Sequence, residues 1–294
     1  MHTMKKVFFI MAMGLMMVSL SGQAQGVQER DTTESQRLNG LFEKNHVKNN
    51  RPIPFPYIRE ADVLWAKKVW RIVDLRERIN LPLYYPIQRM DDRFSLINLI
   101  MHGVESKGLT AFSTKTNDEF QTIMSFDQLK YEMGAVRDTH EVQNVVTGLF
   151  EKKVIEGEMK PDEIKQLLVK EIWFFDRNYS RLDVRILGIC PIREFVESDG
   201  TNDQVKKKQV CWIYFNEARD LFASHEVFNP KNDAQRRTFD DIFAKRYFNS
   251  YIVKEANVYN NRQIDQYAQG LDAMLESQRI KNEIATFEHD LWEF

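Results

Sequence analysis

The sequence predicts an α+β fold, an antiparallel three-stranded meander packed with several amphipathic helices. Three observations carry this. Ile172–Asp176, Leu182–Ile192 and Val210–Phe215 are aromatic or alternating runs, the pattern of strands bounded by polar links. Several flanking stretches repeat apolar residues at helical spacing. The chain also lacks any internal repeat, sustained heptad or low-complexity tract. Its 294 residues, 43% hydrophobic and 29% charged, have ordinary globular composition, enough for one large domain or two small ones.

The N-terminus stands apart from that domain. Lys5 and Lys6 precede the apolar run Val7–Leu20, and Ser21-Gly22-Gln23-Ala24 follows it. This is the pattern of a secretory signal peptide over residues 1–24, cut after Ala24. The run is about 14 residues, short of the roughly 20 that span a bilayer. The cut has no nearby cysteine for lipid attachment, and no later stretch approaches spanning length. The expectation is a periplasmic protein with no direct transmembrane anchor. Loss of Lys5 and Lys6 takes the basic count from 41 to 39 against 43 acidic residues, a net charge of −4. Nucleic-acid binding domains are usually basic, so no nucleic-acid partner is expected.

Residues 25–50 are polar and read as a flexible lead; residues 51–294 form the domain. It opens on a Pro-rich arm, 51–58. Pro52, Pro54 and Pro56 fix φ and disfavour helix in the residues before them, so Arg51–Tyr57 should run extended. A helix is expected from Glu60 to Ile79, with Trp65, Val69, Ile72 and Ile79 at helical spacing. On it Trp65 and Trp70 point about 140° apart. One then sits in the core and the other toward the edge of the apolar face.

Asp91-Asp92 can cap a second helix carrying Phe94, Ile97, Ile100 and Met101 and ending at Gly103 or Gly108. Leu109–Phe112 is a short strand. Ser125 or Asp127 starts a helix through Gln128–Met133, and a strand lies around Val142–Val146. Lys160-Pro161-Asp162-Glu163 begins a helix over Ile164–Val169. In the second main strand Leu182, Val184 and Ile186 face one way, and Asp183 and Arg185 the other. Helical pattern returns at Glu217–Phe222. It recurs within Ala234–Phe248 (Phe239, Ile242, Phe243, Tyr247) and over Leu271–Phe294 (Leu271, Met274, Leu275, Ile284, Phe287, Leu291).

Chemistry is sparse. The chain has no G-x-G-x-x-G, P-loop, G-x-S-x-G or C-x-x-C, so no cofactor is expected. His225-Glu226-Val227-Phe228-Asn229 starts like a zinc-protease helix, but Asn229 stands where the second ligand is needed. Adjacent carboxylates at Asp91-Asp92 and Asp240-Asp241 point about 100° apart on a helix and read as helix-start charges. Lys206-Lys207-Lys208 lies in a hairpin loop, solvated or facing an acidic partner or lipid head groups. If that hairpin turns at Gly200-Thr201, Cys190 and Cys211 face each other on one side of the sheet. Export permits a disulfide, and buried free thiols are the other reading. The 20 Phe, 10 Tyr and 5 Trp are core material and also interface anchors.

The stretch RPIPFPYIREADVLWAKKVWRIVDLRERINLPLYYP closely resembles the gliding-motility GldN (PorN) family of the type IX secretion system. So do EIWFFDRNYSRLDVRILGICPIRE, VCWIYFNEARDLF, FDDIFAKRYFNSYIVKEANVYNNRQI and the terminal EHDLWEF. Asn216 stands where the family pattern has proline. The resemblance implies a non-enzymatic periplasmic component. Such a protein self-associates in a ring with a GldK/PorK-like outer-membrane lipoprotein and is linked to the GldL–GldM motor, including the GldM/PorM-like periplasmic region. A ring needs two different patches per subunit. The expected patch is the arm and the helix beside it: Pro52, Pro54, Pro56 and Tyr57, with Trp65 or Trp70 as anchor and Arg59 or Arg71 at the rim. The competing reading is a periplasmic ligand-binding or hydrolase domain, which would show convergent polar groups in a pocket.

Overall fold

The computed structural model describes residues 47–90, 93–115, 118–135, 137–143, 150–198, 203–229, 231–232 and 234–291. In chain order the elements are β1 (Val63–Asp74), the short α1 (Leu81–Tyr84), α2 (Leu96–Ser106), β2 (Ala111–Phe112), α3 (Phe126–Glu132), β3 (Arg137–Gln143), β4 (Phe150–Glu156), β5 (Ile164–Asp176), β6 (Arg181–Ser198), β7 (Asp203–Gln209), β8 (Trp212–Tyr214), α4 (Phe215–Ala223), α5 (Phe239–Ala244), β9 (Tyr251–Glu255) and α6 (Leu271–Asp290). The fold is α+β. Seven strands form an open sheet in the order β2-β8-β6-β5-β1-β9, with β7 paired to β6. Every pairing is antiparallel, and β3–β4 is a separate hairpin.

The meander β5–β6–β7/β8 lies where the sequence places it, but the sheet is larger than three strands. The expected helix Glu60–Ile79 is strand β1, between β5 and β9. Val63, Trp65, Val69, Trp70, Ile72 and Val73 are β-branched or aromatic, types that fit a pleated surface. Trp65 and Val69 share a face at a spacing of four in a strand as in a helix, so the two patterns coincide there. The charges also mislead. Lys67 pairs with Glu255 at 2.8 Å and Arg71 with Glu171 at 3.0 Å. These partners lie far away in sequence, so the basic residues look like a solvated helix face.

The expected helix Ile164–Val169 is likewise strand. Leu167 and Val169 enter one core cluster and Leu168 another, so both faces are buried and no alternation is visible. The β6–β7 register is the one set by a turn at Gly200-Thr201, with Ile192 opposite Gln209 and Ser198 opposite Asp203; the turn itself lies outside the described residues. Lys206–Lys208 are therefore in strand β7 rather than a loop.

Helix starts follow local chemistry. The expected Asp91-Asp92 cap lies outside the described residues; α2 is capped by Ser95, whose side chain accepts from the Asn98 N–H at 3.2 Å. Ser125–Gln128 and Thr238–Asp241 form capping boxes on α3 and α5, each cap contributing about 1 kcal/mol. The expected strand around Val142–Val146 overlaps β3 up to Gln143, and residues 144–149 lie outside the described residues.

One sheet face carries the main core, where Phe215, Phe222, Phe239, Phe243 and Phe248 of the α4–α5 region pack with α2 and β5–β6. Each fully buried Phe contributes about 1.5–3 kcal/mol. On that same face α6 covers β1 and β9 through Val69, Ile252, Ile280 and Ile284. The opposite face holds a smaller cluster of Trp70, Leu168, Cys190, Ile192 and Trp212, flanked by Phe112 and Phe120. Gly188 on β6 admits Phe120, since a Cβ there would lie 2.5 Å from its ring.

Candidate assembly surfaces

The arm is extended, as its prolines dictate, and two arginines strap it to its own domain. Arg219 on α4 is buried, pairs with Asp240 at 3.0 Å, donates to the Ile53 carbonyl at 2.7 Å and stacks on Phe55 at 4.1 Å. Arg185 on β6 donates to the Pro56 carbonyl at 2.6 Å and lies over both Phe55 and Phe174. Hydrogen bonds from a charged donor contribute about 1.5–3 kcal/mol each, so the arm is a pre-ordered ridge. Its outward chain is apolar: Ile53 is 82% exposed and Tyr57 88%. Phe174, beneath Phe55 and Arg185, pairs with Ala66 across the strands. The ridge thus adjoins a sheet face on which Ala66 and Lys68 are exposed and Leu64 presents its side chain to solvent.

The expected patch residues divide. Pro54, Pro56, Tyr57 and Arg59 are exposed and Pro52 is half-buried; Arg59 pairs with Asp62 at 3.0 Å. Trp65 and Trp70, an odd number apart on a strand, point to opposite sheet faces. Trp65 is half-buried and stacked on Phe287 of α6 at 4.5 Å. Trp70 is 2% exposed and lies in the smaller cluster, with the Lys254 ammonium 4.2 Å from its ring centre. Arg71 is buried against Glu171, which also binds Arg246 at 2.9 Å and the Trp173 indole N–H at 3.2 Å. Trp70 and Arg71 are therefore interior groups and present no anchor or rim to a partner.

Further exposed apolar residues were not legible in the sequence. The expected helical stripe of α6 divides by depth. Ser277, Ile280 and Ile284 are buried, whereas Leu271, Met274 and Leu275 face solvent together with Val258, Tyr259 and Tyr267 of the preceding segment. The spacing of three and four that marks an apolar face occurs twice on this helix, once inward and once outward.

Cys190 and Cys211 are free, buried thiols. Val210 donates to the Pro191 carbonyl, but Ile189 faces Ile213, so one extra residue enters between β7 and β8. That bulge sends Cys211 into the main core while Cys190 stays in the smaller cluster, and the expected same-face placement does not hold. Burial pushes the Cys211 thiol up to about 12 and Cys190 upward as well; neither is a nucleophile in that state.

Other polar groups are occupied by structure. His225 follows the end of α4 rather than lying within a helix; its Nδ1 sits 2.9 Å from the Leu221 carbonyl, and burial pulls the ring down to about 4. Asp241 is the capping-box residue of α5 and Asp240 holds Arg219. Lys170 is pulled down by burial against the attraction of Asp118. Burial opposes ionisation of Asp118, but Lys170 and Lys254 outweigh it and hold the carboxyl below its usual range. A cleft of about 660 Å³ lies between Ile123 and α3, where Glu132 is already paired with Lys115 and Lys208. Among the described residues there is no group of three potential metal ligands, and no helix is long and apolar enough to cross a membrane.

An open antiparallel sheet with helices on one face, and a strapped arm whose Ile53 and Tyr57 are exposed, defines an α+β protein. The family model of the gliding motility associated protein GldN matches residues 58–293, and the chain belongs to that family. It is thereby a component of the gliding motility and type IX secretion machinery. No curated protein matches the sequence. The matched span begins at Ile58, the last residue of the arm.

Proposed function

We propose that this chain is a non-enzymatic structural subunit of the type IX secretion and gliding machinery. It forms a periplasmic ring with a GldK/PorK-like outer-membrane lipoprotein and links to the GldL–GldM motor. The observation that carries the reading is the arm: Arg219 and Arg185 fix its backbone while Ile53 and Tyr57 project into solvent. Pre-ordering lowers the entropic cost of docking, and aromatic anchors dominate interface energetics. Family membership supplies the machine in which the arm would act. Residues 1–24 act as the export signal and 25–50 as a lead to the domain. With no cysteine at the cut, the lipoprotein supplies attachment to the outer membrane. The docking patch comprises Pro52, Pro54, Pro56, Tyr57 and Arg59, joined by Ile53 and Leu64, whereas Trp65 is stacked under α6 on the other sheet face.

The test is affinity purification of the tagged protein from detergent-solubilised envelope, with partner identification by mass spectrometry and electron microscopy of the particles. Rings containing an outer-membrane lipoprotein are the expected result. A monodisperse monomer without partners, from cells making the whole system, removes the ring reading. Deletion of residues 51–57 should abolish assembly and leave the monomer folded; rings that persist show the patch is misplaced.

A further inference from the structure

We propose that the cleft between Ile123 and α3 takes strand β3 of a second copy of this chain as an added strand at its sheet edge. This rests on the self-association in the reading above and gives it a contact separate from the arm. Residues 122–124 extend the sheet outside β2. The Ser113 N–H donates to the Thr122 carbonyl and the Met124 N–H to the Ala111 carbonyl, each at 2.8 Å, with Phe112 opposite Ile123. In an antiparallel pair that pattern turns the N–H and C=O of Ile123 itself away from β2. Among the described residues neither group has a partner. They lie at the edge of the cleft of about 660 Å³ that Tyr131 of α3 also lines. Ile123 is 70% exposed and Tyr131 61%. Native sheets blunt their open edges with charge, proline or a covering segment. Thr122 and Ile123 bring neither charge nor proline, and an open edge beside a helix suits strand addition.

The chain holds a matching deficit. Among the described residues β3 and β4 pair only with each other, and a lone two-stranded hairpin is marginally stable in water. Joining β3 to the Ile123 edge completes both sheets. Other segments fit worse. β7 is an edge strand on which Lys206, Lys207 and Lys208 are exposed. On β9, Gln263 pairs with Lys254 on the side away from β1. In the arm, Pro52, Pro54 and Pro56 have no N–H to donate, and Arg219 and Arg185 occupy the Ile53 and Pro56 carbonyls. Charge separates the two hairpin strands. Around the cleft Lys115, Lys130 and Lys208 outnumber Asp127 and Glu132. Asp138 and Glu141 outnumber Arg137 in β3, whereas in β4 Lys152 and Lys153 balance Glu151 and Glu156. In its own chain β3 pairs with β4 and leaves Ile123 open, so the added strand comes from another copy.

The experiment uses full chains in cells making the whole secretion system. One tagged copy carries Tyr131→Cys. A differently tagged copy carries Thr139→Cys, His140→Cys or Glu141→Cys in turn, so a covalent link between the tags joins two chains. Buried Cys190 and Cys211 contribute little background. A flexible bismaleimide should link the tags for at least one of the three positions. Ile123→Pro in the first copy removes the outward N–H and leaves both hydrogen bonds to β2 in place; it should cut the linked fraction about tenfold. Ile123→Lys, which blunts the edge with charge, should act alike, and Ile123→Val should keep the link. The proposal is overturned if complexes keep their size in sedimentation but the tags stay unlinked, or if the Pro and Lys variants link as before. It is equally overturned if the same cysteine pairs, placed in one chain, link only within it. Absence of any species larger than monomer refutes the assembly reading as well, an outcome sedimentation separates from the others.

Discussion

Replacing Arg71 with methionine distinguishes an interior residue from an interface residue. Arg71 is buried beside Glu171, which is itself fully buried and held by Arg71 at 3.0 Å, Arg246 at 2.9 Å and the Trp173 N–H at 3.2 Å. Methionine keeps much of the stem volume and removes the charge. Removing one partner of a buried pair costs about 3–5 kcal/mol, because the other charge is left uncompensated. Here Arg246 and Trp173 remain on the carboxylate, so the loss falls at the lower end, about 3 kcal/mol. For a domain of this size 1 kcal/mol moves Tm by about 2–4 °C, giving a fall of about 6–12 °C. The assay is thermal and urea unfolding of the purified chain, with particle size measured separately at a temperature where the variant is folded. The expected result is a large loss of stability with assembly retained. An unchanged Tm with lost assembly would place Arg71 at a contact surface and refute the argument.

Four further outcomes follow from the same geometry. Tyr57→Ala should change stability by less than about 0.5 kcal/mol, as surface substitutions do, while reducing particle formation; normal particles count against the arm. Gly188→Ala places a methyl where the Phe120 ring now lies, and the shift should cost about 1–3 kcal/mol in urea unfolding; a neutral result means that Phe120 moves freely. Burial holds the His225 pKa at about 4, below its ordinary 6.5. The unfolded chain then binds the extra proton between these values, so stability falls as pH drops from about 6.5 to 4 and is flat above. The loss is at most about 3 kcal/mol, lessened by residual solvent contact; His225→Gln should remove that slope, and an identical slope in the variant assigns it elsewhere. Cys190 and Cys211 should resist maleimide in the native chain and react only on unfolding; rapid native labelling would contradict their burial.

The sequence by itself determined the features that rest on local chemistry. Prolines at alternate positions made the arm extended, because the ring fixes φ and restricts the preceding residue. Ser125 started a helix because its hydroxyl accepts from the Gln128 N–H of the first turn. The β6–β7 register is the one expected from the sequence, and long ordered blocks identified the family. Tertiary structure decided what local pattern leaves degenerate. Val63–Asp74 became a strand because β5 and β9 flank it and because Glu171 and Glu255, distant in sequence, receive its charges. That choice moved Trp70 and Arg71 from a supposed surface to the interior. One inserted residue between β7 and β8 separated two cysteines that the register alone would have paired. On α6, hydrophobic spacing could not say which of two apolar stripes meets the sheet. Only the position of β1 and β9 buried Ile280 and Ile284 and left Met274 outside.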